Sequence, residues 1–239
     1  MKKTALITGA SRGIGRAIAE AFAPHFDVLH LTGFHSKEAL EDLKKDLESR
    51  FHTTCVLHIG DIGDYDFVSE MFQSIDSLDV LVNNAGISYV GLFTDMTKDE
   101  WDNLMHTNLD SCFYTCKHAV PLMLQKKSGK IINISSIWGC VGASMEVAYS
   151  ATKGGLNSFT MALAKELAPS NIQVNAIACG VIDTDMNRCF SEEDRALIIE
   201  DIPADRFGEA KEVGTLALQL SNSPSYLTGQ IIRLDGGII

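Results

Sequence analysis

The chain is short of positive charge. Lys and Arg number 20 against 31 Asp and Glu, which leaves a formal net charge of −11. Nucleic-acid binders and proteins held on anionic lipid need a basic face, so this balance argues against both. No apolar run reaches about 18 residues, the length a membrane-spanning helix requires. Proline is scarce, at 5 of 239 residues, and the 19 glycines show no period, so collagen-like and proline-rich sequence are excluded. The cysteines Cys55, Cys112, Cys116, Cys140, Cys179 and Cys189 include no C-x-x-C pair. Cys112 and Cys116 stand one helical turn apart, but no His or Cys pair nearby completes a ligand set. Buried free thiols and no metal are expected. Behind Met1-Lys2-Lys3 the apolar stretch is only Ala5-Leu6-Ile7 before Thr8 and Gly9. That is short for a secretion signal, and a reduced, cytoplasmic protein is expected.

What is present is ordinary globular composition, with 46% hydrophobic and 21% charged residues. A single domain of this length buries roughly 70–75% of its unfolded surface and needs no staples. Short β-type runs occur at Thr4–Thr8, Val28–Thr32, Thr54–Ile59, Asp79–Asn83, Lys130–Ile134, Ile172–Ala178 and Gln230–Leu234. Between them lie stretches with helical spacing: Gly13–Ala23, Ser36–Glu48 with Ser36 as its cap, Tyr65–Gln73, Thr97–Leu124, Val147–Leu167 and Ala210–Leu220. Strands alternating with helices predict an α/β fold with a parallel sheet covered on both faces. Ile182–Arg206 breaks the rhythm with eight acidic residues among scattered apolar ones. It is too long for a plain connection and reads either as a substrate lid around residues 183–206 or as a solvated surface helix.

The first strand runs straight into Thr8-Gly9-Ala10-Ser11-Arg12-Gly13-Ile14-Gly15, and a helix follows. Glycines there let a diphosphate approach the backbone, and the helix N-terminus supplies unpaired N–H groups and positive dipole. The whole pattern predicts one Rossmann-type, doubly wound parallel sheet of about seven strands over residues 1–239. In that fold an acidic residue ending the second strand binds the adenosine ribose diol. Here the region reads Leu31-Thr32-Gly33-Phe34-His35-Ser36-Lys37, with no carboxylate. Arg12, with His35, Ser36 and Lys37 opposite, favours a 2′-phosphate, hence NADP(H) over NAD(H). Exposed, idle charges are the alternative.

Tyr149-Ser150-Ala151-Thr152-Lys153 puts a phenol and an ammonium four residues apart, on one helix face. A cation beside a phenol favours phenolate, and a shift of about three units is worth about 4 kcal/mol. Taken alone, such a pair reads as a surface contact. Ser136 lies 13 residues earlier, Asn83-Asn84-Ala85-Gly86 closes the fourth strand, and Asn108 falls in a helical stretch. Together with the glycine loop and the ending Leu227-Thr228-Gly229-Gln230…Leu234-Asp235-Gly236-Gly237, the set resembles the short-chain dehydrogenase/reductase family over essentially the whole chain.

The resemblance implies roles. Tyr149 would be the proton donor or base. Lys153 would lower its pKa and hold the nicotinamide ribose, Ser136 would polarise the substrate carbonyl, and Asn108 would hold a relay water. Gly9, Ser11, Arg12, Gly13, Ile14 and Gly15 would form the diphosphate loop. Asp61 and Ile62 would meet adenine, Asn83, Ala85 and Gly86 would support the cofactor, and Ile182 and Thr184 would meet the carboxamide. Each residue also has a plain structural reading: Ser136 as a helix cap, Asn83 and Asn108 as structural amides, Asp61 as a turn cap. One departure is Cys179-Gly180 where the family has Pro-Gly. Loss of the ring is expected to loosen the site and to add an oxidisable thiol.

Within the family the chain looks most like the 3-oxoacyl-[acyl-carrier-protein] reductases, through Thr4–Ile18, Lys130–Gly139, Tyr149–Leu156, Val174–Met186 and Arg206-Phe207-Gly208. The implied reaction is NADPH-dependent reduction of a 3-oxoacyl thioester on acyl-carrier protein or CoA. A secondary-alcohol dehydrogenase for a steroid or sugar, and a non-catalytic nucleotide-binding scaffold, stay open. Lys126, Lys127 and Lys130 are expected to dock an acidic carrier protein beside Ser136, or to be a solvated turn. Met186 and Phe190 would give the lid apolar contacts. The resemblance also implies a homotetramer through Thr97–Leu124, Val147–Leu167 and Gly229–Ile239.

Overall fold

Thr4–Ile7 (β1) is buried at every residue, as a strand in mid-sheet with helices on both faces must be. The computed structural model describes residues 2–187 and 190–239, so Cys189 lies outside the described residues. After β1 come β2 (Val28–Gly33), β3 (Thr54–Ile59), β4 (Val80–Asn83), β5 (Gly129–Ser136), β6 (Ile172–Cys179), β7 (Ile182–Asp183), β8 (Gly208–Glu209) and β9 (Ile231–Leu234). Seven of these form one sheet in the order β3-β2-β1-β4-β5-β6-β9, and every pairing is parallel. The chain winds outward from β1 in both directions. This leaves a crevice at the carboxyl ends of β1 and β4, where such sheets bind ligands.

The helices are α1 (Gly13–Phe22), α2 (Lys37–Arg50), α3 (Tyr65–Phe72), α4 (Lys98–Met105), α5 (Ser111–Lys126), α6 (Trp138–Val141), α7 (Val147–Leu167), α8 (Glu192–Glu200) and α9 (Ala210–Ser221). One apolar layer joins α1, α2 and α9 to Leu29, Leu31 and Val82. A second joins α3, α5 and α7 to Leu6, Leu81, Ile131 and Val174. Leu40, Leu43 and Leu47 form the buried stripe of α2, at the spacing a helix needs to present one face. Ser36 holds the N-cap position of α2, but its side chain makes no cap bond.

The helix expected over Thr97–Leu124 is two helices. Thr97 and Glu100 cap α4 reciprocally, and a π-helical turn, His106–Asp110, separates it from α5. The extra residue in that turn brings Asn108 wholly inside the protein, a distortion a 3.6-residue period does not encode.

β2 and β3 carry an imidazole pair, with His30 buried and His58 half-buried. His30 Nδ1 and His58 Nε2 are 2.9 Å apart, and the rings stack. Burial first, then the neighbouring ring, lowers the pKa of His30 from 6.5 to about 4. The unfolded chain therefore takes up protons before the folded one. Stability is complete above about pH 6.5 and falls as pH drops toward 4. Urea unfolding at about pH 7 and pH 4.5 should show a loss on the order of 3 kcal/mol in the wild type and a clearly smaller loss in His30→Gln. Equal losses would show that the pair does not set acid stability.

Candidate active site

The crevice is a cleft of about 800 Å³. Its floor is the glycine loop between β1 and α1. Gly9 has φ +64°, and a Cβ there would lie 2.9 Å from Ala85 Cα. A Cβ on Gly15 would lie 2.2 Å from the Gly9 carbonyl oxygen and 2.5 Å from Asn84 Nδ2. The loop is thus packed down to bare backbone at the opening of α1, where N–H groups and helix dipole favour an anion. Asn84 fixes its shape by donating to the carbonyls of Thr8 at 2.8 Å and Gly9 at 3.1 Å. These features fit a dinucleotide diphosphate.

At the end of β2 no carboxylate lines the cleft. Arg12, Phe34, His35 and Ser36 line it instead. Lys37 does not; it faces Glu41 at 3.8 Å. Asp61 and Ile62 line the cleft beyond β3, and Asp61 also closes its own turn by accepting from the Gly63 N–H at 2.8 Å.

Ser136, Tyr149 and Lys153 meet at the other end. Ser136 ends β5, and α7 carries the other two along one face. The Ser136 and Tyr149 hydroxyls are hydrogen-bonded, and burial raises the Tyr149 pKa well above the usual phenol value. Cys179 and then Glu146 push it the same way, while the Ser136 bond opposes them. This is opposite to the lowering expected from Lys153. The physical reason is that the phenolate would lose its hydration, while the ammonium is occupied: Lys153 Nζ donates to the Ile134 carbonyl at 2.9 Å and sits 5.7 Å from the Tyr149 ring centre. Lys153 itself is lowered by burial. The phenol therefore holds its proton at neutral pH and is available as an acid. The Ser136 Oγ also accepts from the N–H of Trp138, the first residue of α6, at 3.2 Å.

Gly9, Ser11, Arg12, Gly13, Ile14, Gly15, Asp61, Ile62, Ala85, Gly86, Ser136, Tyr149, Lys153, Ile182 and Thr184 all line the cleft; Asn83 and Asn108 do not. Asn83 is buried beneath it, donating to Asn133 Oδ1 at 2.9 Å and accepting from Thr115 Oγ1 at 2.7 Å. Asn108 clamps Ile87, accepting from its N–H and donating to its carbonyl, both at 2.8 Å. Its Oδ1 nonetheless lies beside Gly86, as does Lys153 Nζ. Asn84, Ile87, Trp138, Glu146 and Ile238 line the cleft without having been singled out from the sequence. Asn84 alone had a signal, its place in Asn-Asn-Ala-Gly; the others depend on tertiary folding.

Cys179 keeps regular strand geometry without the proline ring. It pairs with Ser136 in register, and its carbonyl accepts from the Ile137 N–H at 2.9 Å. Burial pushes its thiol up to about 12, which leaves it protonated and a poor target for oxidation. Cys55, Cys112 and Cys116 are also buried, whereas Cys140 is exposed.

The lysine cluster does not lie beside Ser136. Lys130 is the second residue of β5 and Ser136 the last, so about 20 Å of extended strand separates them. Lys126 pairs with Asp79, and Lys130 donates to the Ser223 carbonyl at 2.7 Å. These lysines brace the far end of the sheet.

Over residues 3–195 the chain matches the short chain dehydrogenase family. It belongs to that family and is an NAD(P)-dependent oxidoreductase on a Rossmann-type fold. Among its relatives is the 3-oxoacyl-[acyl-carrier-protein] reductase FabG of Aquifex aeolicus, 38% identical over 99% of this chain and 97% of that one. Among solved structures, a 3-oxoacyl-[acyl-carrier protein] reductase of Brucella melitensis superposes with TM-score 0.93 at 34% identity, over 99% of this chain and 91% of that one. YwfH, an NADPH-dependent reductase involved in bacilysin biosynthesis, superposes with TM-score 0.92 at 29% identity, over 100% and 99%. Among the described residues no helix is long and apolar enough to cross a membrane.

Proposed function

We propose that the protein reduces the ketone of a 3-oxoacyl thioester with NADPH. The observation that carries this is the meeting of Ser136, Tyr149 and Lys153 at one end of a cleft whose other end is a glycine cradle. NADPH, when bound, supplies the hydride to the carbonyl carbon. Ser136 donates a hydrogen bond to the carbonyl oxygen and polarises it. Tyr149 gives its proton to that oxygen as negative charge develops. Lys153, held in place by the Ile134 carbonyl, then helps the phenol regain a proton. The segment 183–206 acts as a lid: Met186, Phe190 and Ile198 line the cleft, and Arg195 pins it by pairing with Asp183 at 3.1 Å and stacking on Phe207.

The thioester is favoured by the likeness to the Aquifex and Brucella reductases, together with the lid's apolar lining. The second reading is a dehydrogenase for a steroid, sugar or other small ketone or alcohol, which the same Ser136, Tyr149 and Lys153 would serve. Consumption of NADPH with acetoacetyl-CoA or its carrier-protein thioester supports the first. Turnover only with free ketones in a mixed panel supports the second. Cofactor binding with no turnover on any carbonyl would leave a scaffold. We also infer a cytoplasmic homotetramer, in keeping with the exposed Phe113 of α5 and Met161 of α7; a monomer by light scattering would refute the tetramer.

Arg12 is exposed at the cleft, placed for a 2′-phosphate. Arg12→Ala should raise the KM for NADPH by about tenfold to a hundredfold, the worth of one charge-assisted hydrogen bond, and change that for NADH far less. Equal effects on both cofactors would refute the preference.

A further inference from the structure

Glu146 occupies the N-cap position of α7, three residues before Tyr149, yet its side chain caps nothing. Its carboxylate accepts instead from the Trp138 side chain, and both residues line the cleft. A carboxylate has about four acceptor positions, and the Trp138 bond uses one. No cation is paired with Glu146 among the described residues. The loop before it is held out of ordinary geometry: Met145 has φ +65°, and its carbonyl accepts from the Gly91 N–H at 2.8 Å. A half-buried carboxylate with no counter-charge is costly to keep, and a strained residue holds it beside the proton donor. A purely structural side chain here would be served as well by a neutral amide.

We propose that Glu146 is a specificity-determining residue, accepting a hydrogen bond from an N–H or O–H group of the substrate and excluding substrates with an anionic group near the ketone. The inference rests on the ketone-reductase reading above and narrows it. A thioester arm with an amide N–H is accepted, whereas the free 3-oxo acid, which carries the same ketone beside a carboxylate, is refused. Like charges facing each other in a confined site are strongly unfavourable.

Three substrates sharing one ketone test this: ethyl acetoacetate, acetoacetyl-N-acetylcysteamine and acetoacetate, assayed with saturating NADPH at about pH 8. In the wild type, kcat/KM for acetoacetate should fall at least about tenfold below that for ethyl acetoacetate. In Glu146→Gln, of equal size and no charge, the gap should close to within about threefold, while the thioester keeps its advantage over the ester because the amide oxygen still accepts. Glu146→Asp, which keeps the charge, should keep the gap. A gap of unchanged size in Glu146→Gln, or none in the wild type, overturns the inference alone. Failure of the wild type to reduce any of the three overturns the ketone-reductase reading together with it.

Discussion

Tyr149→Phe is expected to lower kcat by about a thousandfold, within the usual range for removal of a general acid. The substitution keeps the ring and deletes only the hydroxyl that bonds Ser136. Burial keeps that hydroxyl protonated, so the wild type always has a proton to give at neutral pH, and the variant has none. Single-turnover reduction with bound NADPH isolates the chemical step from cofactor exchange. A loss below tenfold would remove Tyr149 from the reaction. Proton supply from such a phenol also predicts that ketone reduction weakens only at alkaline pH, as the raised pKa is approached.

Gly15→Ala should be the most damaging change in the cofactor cradle. The added methyl would meet backbone oxygen at 2.2 Å and the Asn84 amide at 2.5 Å. Neither can swing away, because that amide already bonds the Thr8 and Gly9 carbonyls. The loop must shift as a unit. NADPH binding, followed by fluorescence titration, should weaken by about tenfold to a hundredfold, or about 1.4–2.7 kcal/mol. Overpacking should cost about 1–3 kcal/mol of stability in thermal unfolding. Unchanged affinity would mean that the loop does not shape the diphosphate site.

The sequence discloses the strands and the glycine loop because both depend on local pattern: β-type runs, a loop set between strand and helix, and the four-residue spacing of Tyr149 and Lys153. It conceals what depends on packing. The π-helical turn at His106–Asp110 has no periodic signature. Asn83 and Asn84 are neighbours in sequence, but strand alternation sends one into a buried network and the other to the cleft. The direction of the Tyr149 shift is set by lost hydration and by the carbonyl that engages Lys153, neither visible in a four-residue spacing. The lysines near β5 look close to Ser136 in sequence only because a strand's length is not apparent in one dimension.

Helix α8 has a reciprocal cap at its start but no buried residue along its length. Few contacts oppose its detachment, so its amides should exchange with solvent long before those of α7. A ligand filling the space under Ile198 and Phe190 would slow that exchange in proportion to the apolar surface it covers. Chain length at the far end of the substrate would then govern how long the molecule stays closed, independently of the chemistry at its ketone.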